Sequence, residues 1–192
     1  MRLSTRPDRQ ATVGLRAPCP AEGRFATPWG EGRVAVWGGR LVGVELPPLG
    51  CETDTPLGGS VSALDHKALQ WWVDELEAYF RGERMSWRPE DIDLEAQGLS
   101  SFARRTVEAL LRVPPGETVS YGELAQLAGY PRAARAVGTV MASNPIPIVV
   151  PCHRVIRSDG SLGKYGTDER WKDRLLSHER SNVTKGADRH DG

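Results

Sequence analysis

The chain has 192 residues, 39% of them hydrophobic and 26% charged, the proportions of a globular protein of one or two small domains. No apolar run approaches the roughly 20 residues of a membrane span, and no apolar stretch follows Arg2, Arg6, Arg9 and Arg16 as a secretory signal would require. Three cysteines, Cys19, Cys51 and Cys152, fit a reducing cytoplasm better than a disulfide scaffold. The formal net charge is zero but uneven: Ser101 to Arg180 carries twelve Lys and Arg against eight Asp and Glu, and the rest of the chain thirteen against seventeen. Leu124 to Ser158 holds Arg132, Arg135, Arg154 and Arg157 and no acidic residue, a pattern that suits a polyanion or simply a solvated basic face.

In chain order, residues 1–24 are rich in Arg, Pro and small polar residues without a period and read as a tail. FATPWG, RVAVW and LVGVEL are short β-branched runs divided at Gly30-Glu31-Gly32 and at Gly38-Gly39, the second a tight-hairpin signal, so a small antiparallel sheet is expected. A Pro- and Gly-rich loop spans 47–60. A helix from about Ser62 carries Leu64, Ala68, Trp72, Leu76 and Phe80 four apart, and Gly82 ends it. Residues 83–99 read as a connector. Ser101 opens a helix with Ala103, Val107, Leu110 and Leu111, stopped by Pro114-Pro115-Gly116.

Ser120-Tyr121-Gly122-Glu123 is a capping box for a short helix that Gly129 ends. Pro131 suits the first turn of a further helix running to about Ala142, before Asn144-Pro145. Helix, glycine turn, helix is the helix-turn-helix pattern, though many helical hairpins share it. The second helix is thin, with Ala133, Ala134, Ala136, Gly138 and Ala142, and projects Arg132 and Arg135. Close helix packing explains its alanines but not its arginines. Valines 149 and 150 suggest a strand delivered into the core, with Pro151 ending its regularity. Ser158-Asp159-Gly160-Ser161 is a turn, Gly163 to Gly166 a flexible loop, and Thr167 a cap for a last helix that buries Trp171 and Leu175. Residues 181–192 read as a polar tail.

The chemistry concentrates in VVPCHRVI, residues 149–156. A nucleophilic cysteine needs a base or a positive field to become a thiolate. His153 adjoins Cys152, but strand neighbours point to opposite faces, so their contact needs an irregular backbone or a bridging water. His178 or Glu179 can return to the site from the last helix and complete a triad-like relay. Zinc is the competing use of cysteine. Cys19, Cys51 and His66 lack any Cys-x-x-Cys or His-x-x-x-His spacing, so no metal and no cofactor are expected.

PCHRVI, preceded by NPIPIVV and PRAARAVG, resembles the active-site region of the O6-alkylguanine-DNA alkyltransferases. SYGELAQLAG upstream and GKYG and LLSHE downstream are similar to the same family, and Phe25 to Gly82 resembles its N-terminal domain more loosely. The resemblance implies an α/β (α+β) protein. It would have an N-terminal sheet-and-helix domain over 25–95 and a mostly helical, winged-helix-like domain with the helix-turn-helix over 96–180, between tails at 1–24 and 181–192. It implies irreversible transfer of an alkyl group from guanine O6 in double-stranded DNA, approached from the minor groove, to Cys152. The protein would be a cytoplasmic monomer without cofactor or membrane association.

In those terms His153 is the base acting through a water and Glu179 its orienter. Tyr121 assists flipping and donates a proton to the leaving guanine, and Asn144 braces the turn before the active-site strand. Arg135 fills the space of the extruded base, with Arg132, Ala133, Ala134 and Ser120 also on the DNA. Val155, Tyr165, Gly166 and Met141 form the guanine pocket. Gly166 stands where some relatives have a serine, and 87–101 matches the family poorly. Three rival readings are a silent DNA-binding relative, which would lack the cysteine, a helix-turn-helix regulator, and a cysteine hydrolase.

Overall fold

The first three apolar runs form a meander, β1 (Ala21–Thr27), β2 (Gly30–Trp37) and β3 (Arg40–Glu45), antiparallel in the order β1-β2-β3. The computed structural model describes residues 20–48, 62–95, 97–163, 165, 168 and 170–187. Strand β1 starts at Ala21, so the last residues of the expected tail already pair with β2. The expected break at Gly30-Glu31-Gly32 lies inside β2. The turn is Pro28-Trp29, and Gly32 is small because the Phe25 ring lies where its Cβ would stand. Gly38 and Gly39 do make the second turn, both at positive φ, 57° and 77°, as a tight hairpin of this hand requires.

Helix α1 (Ala63–Arg81) lies across this sheet. The Ser62 side chain caps it by accepting from the Asp65 amide, and Gly82, at φ 76°, ends it. The Asp65 carboxylate also accepts from Gly39 N at 2.8 Å, so one side chain ties the hairpin to the helix start. Trp72, Leu76, Tyr79 and Phe80 are buried, but Leu64, expected on the same stripe, is 62% exposed. Four-residue steps advance about 400° on an α-helix, and over four steps the drift carries Leu64 about 160° from Phe80.

The stretch expected as a connector is part of the core: Trp87, Ile92 and Leu94 are buried around a 3-10 turn at Pro89–Asp91. Helix α2 (Ser101–Leu110) is capped by Ser100, one residue before the expected start. A two-residue strand β4 (Val119–Ser120) leads into α3 (Tyr121–Leu127), whose capping box is complete: Ser120 N donates to Glu123 Oε2 at 2.7 Å and Glu123 N to Ser120 Oγ at 3.2 Å. Helix α4 (Ala134–Ala142) starts later than Pro131. Ala133 N donates to Tyr130 O, and Arg132 has φ 77°. Proline second and a positive φ third is the pattern of a type II turn, so Pro131 marks a turn rather than a helix start.

No strand runs through Val149 and Val150. That stretch is a buried turn in which Val150 N donates to Ile146 O and Ile148 sits at φ 73°. A β-branched residue there is strained and persists only because packing fixes it. Cys152–Arg154 form a 3-10 turn, and β5 (Val155–Ile156) pairs in parallel with β4. Helix α5 (Arg170–Ala187) takes up the first residues of the expected C-terminal tail. The expected cap Thr167 and the residues beyond Ala187 lie outside the described residues. Buried side chains from sheet, α1, connector and C-terminal helices form one contiguous apolar core.

Candidate active site

The parallel pairing of Val119 with Val155 and Ser120 with Ile156 sets the start of α3 beside the end of the Cys152 turn. Tyr121, first residue of α3, therefore faces the cysteine. Both line a cleft of about 820 Å³ together with Met141, Asn144, Tyr165 and Lys172. Cys152 is 7% exposed. Asn144 holds the turn in place. Its Nδ2 donates to Val150 O at 2.9 Å and approaches Cys152 Sγ at 3.0 Å, while its Oδ1 accepts from Ile146 N at 3.1 Å.

Behind the cysteine lies a closed polar cluster. His153 Nε2 is 2.7 Å from Glu179 Oε1, both side chains fully buried. Arg154, 1% exposed, clamps the same carboxylate with Nη2 on Oε1 at 2.8 Å and Nε on Oε2 at 3.0 Å. Its remaining donors reach Val113 O at 2.6 Å and Met85 O at 2.8 Å. Gly116 N donates to Glu179 Oε2 at 2.8 Å and the Tyr79 hydroxyl to Oε1 at 3.0 Å. His153 Nδ1 is buried with no hydrogen-bond partner among the described residues.

Protonation states follow from this geometry. Burial alone would raise the Glu179 carboxyl, but the bonds and charges of His153 and Arg154 more than reverse it, and it stays well below the usual carboxylate range. Burial pushes the His153 imidazole down against the pull of Glu179, so it is neutral at pH 7. A carboxylate only accepts, so Nε2 carries the proton and Nδ1 presents a bare lone pair, which is the form of a general base. Burial pushes the Cys152 thiol up, opposed by Asn144, Tyr165 and Lys172. It is therefore a thiol until a base acts. Burial and the cysteine raise the Tyr121 phenol, which stays a proton donor.

The other expected site residues divide. Arg132 and Arg135 are exposed and have no ion-pair partner among the described residues, and Ala133 and Ala134 are half-buried beside them. Gly138 of α4 faces the Tyr121 ring, and a Cβ there would stand 4.0 Å from it, an ordinary van der Waals contact that leaves room for alanine. Tyr165 is buried in the cleft wall. Val155 is fully buried, and its N–H closes the turn on Cys152 O. Gly166 lies outside the described residues, as do Cys19 and Cys51. Among the described residues no three His, Cys, Asp or Glu side chains cluster as metal ligands.

Sequence reasoning left one residue open and missed two. Arg154, which falls in the basic stretch but could also hold its turn by bonding carbonyls, is buried on Glu179 with bonds to Val113 O and Met85 O, so the basic surface retains Arg132, Arg135 and Arg157. Tyr79 sits about a hundred residues before the carboxylate it bonds and reads as one more apolar helix position. Lys172 is 1% exposed and lines the cleft, with Nζ 5.9 Å from the centre of the Tyr121 ring. Its neighbour Trp171 was legible as core, and the i+1 position gave no signal that a charge would be buried there.

Residues 101–181 match the family model described as the 6-O-methylguanine DNA methyltransferase DNA-binding domain. The chain is 47% identical over 117 residues to the methylated-DNA–protein-cysteine methyltransferase of Mycobacterium tuberculosis, covering 61% of this chain and 68% of that protein. It is 50% identical over 111 residues to the Mus musculus protein of the same name, covering 54% of this chain and 51% of that one. The crystal structure of Mycobacterium tuberculosis OGT in complex with DNA superposes with a TM-score of 0.67 at 37% identity, over 84% of this chain and 93% of that one. With Cys152 at the cleft, a buried His153–Glu179 pair behind it and these relatives, this protein is a member of the methylated-DNA–protein-cysteine methyltransferases.

Proposed function

We propose that the protein reverses alkylation damage directly, moving the alkyl group of O6-alkylguanine in double-stranded DNA to its own Cys152. The observation that carries this reading is a buried thiol at the wall of an open cleft, followed in sequence by a neutral imidazole that a fixed, fully buried carboxylate holds behind it. O6 is hidden inside a duplex, so the nucleotide must be flipped into the cleft at a cost of a few kcal/mol in stacking. Exposed Arg135, on a helix kept thin by small residues, is suited to enter the minor groove and occupy the vacated space, with Arg132, Ala133, Ala134 and Ser120 against the backbone.

In the transfer, His153 Nδ1 takes the thiol proton through one water. Sulfur attacks the alkyl carbon in line and the carbon–O6 bond breaks, its electrons passing to the guanine. Tyr121 gives the guanine a proton and is itself reprotonated, so the thiol's proton is in effect handed to the leaving base. Glu179 steadies the imidazolium that forms, as the orienting carboxylate does in a triad. Asn144 keeps Sγ aimed into the cleft, while Met141, Tyr165 and Cys152, which line it, surround the base. The product is a thioether that none of these groups can hydrolyse, so each molecule acts once. A free nucleophilic thiol is consistent with a cytoplasmic protein, and we take it to act as a monomer, with residues 96–180 as the DNA-binding and alkyl-acceptor part.

The test mixes the protein with a duplex containing one O6-methylguanine and weighs the peptide that contains Cys152. It should gain one methyl per protein molecule, and Cys152→Ala should abolish the gain. DNA binding with an unmodified peptide would instead identify a silent binder, and turnover a hydrolase.

A further inference from the structure

The N-terminal sheet and α1 contribute no side chain to the proposed chemistry itself, yet they reach its deepest element. Resting on the reading of Glu179 as the group that orients His153, we infer that Tyr79 of α1 is a positioning residue for the transfer, its hydroxyl fixing the carboxylate oxygen on which the imidazole hangs. Tyr79 is fully buried, and its hydroxyl donates to Glu179 Oε1 at 3.0 Å. That oxygen also meets His153 Nε2 at 2.7 Å and Arg154 Nη2 at 2.8 Å. A second tie runs from the same half of the chain, Met85 O accepting from Arg154 Nη2 at 2.8 Å.

The tyrosine is a stiff strut. Its ring lies 6.1 Å from Trp87, nearly parallel, 5.1 Å from Phe80 edge-on and 5.4 Å from His178. His178 Nε2 meets the Tyr79 carbonyl at 3.0 Å, anchoring α5 one residue before Glu179. An aromatic core residue would serve packing as phenylalanine; what the hydroxyl adds is a bond to one oxygen of one carboxylate. Burial first, and then the charge of Glu179, raise the Tyr79 phenol well above its usual value, so it remains a donor wherever the protein is folded.

Two consequences follow from removing the hydroxyl alone. Oε1 loses one of the donors that define its direction, and the imidazole it holds loses aim. It also keeps more charge for His153 Nε2–H, which makes the imidazole more basic. The charged and titratable groups around this pair are Arg154 from the Cys152 turn, Lys172 from α5, Tyr165 from the cleft wall and Tyr79 itself, with the Gly116 amide on Oε2. Tyr79→Phe removes only the last hydroxyl and leaves the rest in place.

The experiment uses the full chain and its Tyr79→Phe variant, measuring single-turnover methyl transfer from an O6-methylguanine duplex at saturating DNA between pH 5 and 9. DNA affinity and melting temperature are measured beside it. The rate is expected to fall about tenfold, as for loss of an orienting bond behind a functional ligand. The acid-side midpoint of the profile should move to higher pH, with DNA affinity unchanged. A variant with the wild-type rate and midpoint overturns the inference, as does a uniform loss that tracks the unfolded fraction with the midpoint unmoved. Glu179→Gln, run in parallel, separates the two ideas: wild-type transfer by that variant would defeat the relay itself, whatever Tyr79 does.

Discussion

His153 has two ends, and they sit in opposite environments. On the Nε2 side Glu179 is surrounded by donors from three parts of the chain: Tyr79 of α1, the Gly116 amide, and the Cys152 turn with Arg154 and the imidazole itself. On the Nδ1 side the imidazole has no hydrogen-bond partner among the described residues, and Cys152 has a single amide against its sulfur. One end holds a permanent negative charge and is built to keep it. The other holds a neutral thiol, made harder to ionise by burial, at the wall of an open cleft. The difference teaches where the fold invests its structure: in the group that must never move, while the sulfur is left free to react once.

The largest effect should come from breaking the closed end. Glu179→Gln leaves the Arg154 guanidinium buried without a counter-charge, a change that costs about 3–5 kcal/mol. Denaturant unfolding would measure this, with methyl transfer lost in the surviving folded fraction. The same carboxyl governs acid stability. Its folded-state pKa is depressed below the ordinary 4.5, so the unfolded chain binds the proton more readily. Its stabilisation is fully present above about pH 4.5 and is lost as pH falls below that. The gap in melting temperature between wild type and Glu179→Gln should therefore narrow on acidification. A constant gap would mean the carboxylate is not held by its partners as charge.

The same contrast explains what was legible from sequence. The helix stop at Gly82, the capping box at Ser120 and the Gly38-Gly39 hairpin are written in local chemistry and form as expected, as do the two short helices of the helix-turn-helix apart from the later start of the second. The string around Cys152 was legible through family resemblance, and the structure brings Cys152, His153, Glu179, Asn144 and Tyr121 together. Local pattern failed where tertiary context reassigns a residue. Gly32 reads as a turn but makes room for Phe25, and Pro131 reads as a helix start but makes a turn. The role of Arg154 stays open in sequence because nothing near it shows that Glu179 waits 25 residues on. Tyr79 was illegible for the same reason, since its partner is defined only once α1 and α5 have packed.

A smaller effect, of opposite sign in stability, is expected at the open end. Lys172 is buried beside the cleft, and burial, with the Arg157 charge, outweighs the pull of Cys152 to bring its pKa down to about 8. Below that pH the folded protein carries a cation that water would solvate better. Lys172→Met should therefore stabilise the protein by about 1 kcal/mol, after allowance for screening across the cleft. Transfer should slow about tenfold as the field that favours thiolate is lost. As pH rises from about 8 toward 10.5 the folded lysine is neutral while the unfolded one is still charged, so the wild type gains and the stability gap closes. A lysine variant that is less stable and equally fast would place this charge with the structural end of the relay.

The smallest expected change is at the residue that matters most. Cys152→Ala removes one sulfur atom from the cleft wall, where no closed cavity is left behind, and a buried thiol packs as a small apolar group. Asn144, the sulfur's one amide neighbour, keeps Val150 O as acceptor for Nδ2 and Ile146 N as donor to Oδ1, so no polar group is stranded. Unfolding free energy should change by less than about 0.5 kcal/mol while methyl transfer vanishes. Set beside Glu179→Gln, which should lose both, this variant separates the nucleophile from the scaffold that aims at it. A loss of stability at Cys152 comparable to that at Glu179 would break the contrast, because the sulfur would then be part of what holds the turn together.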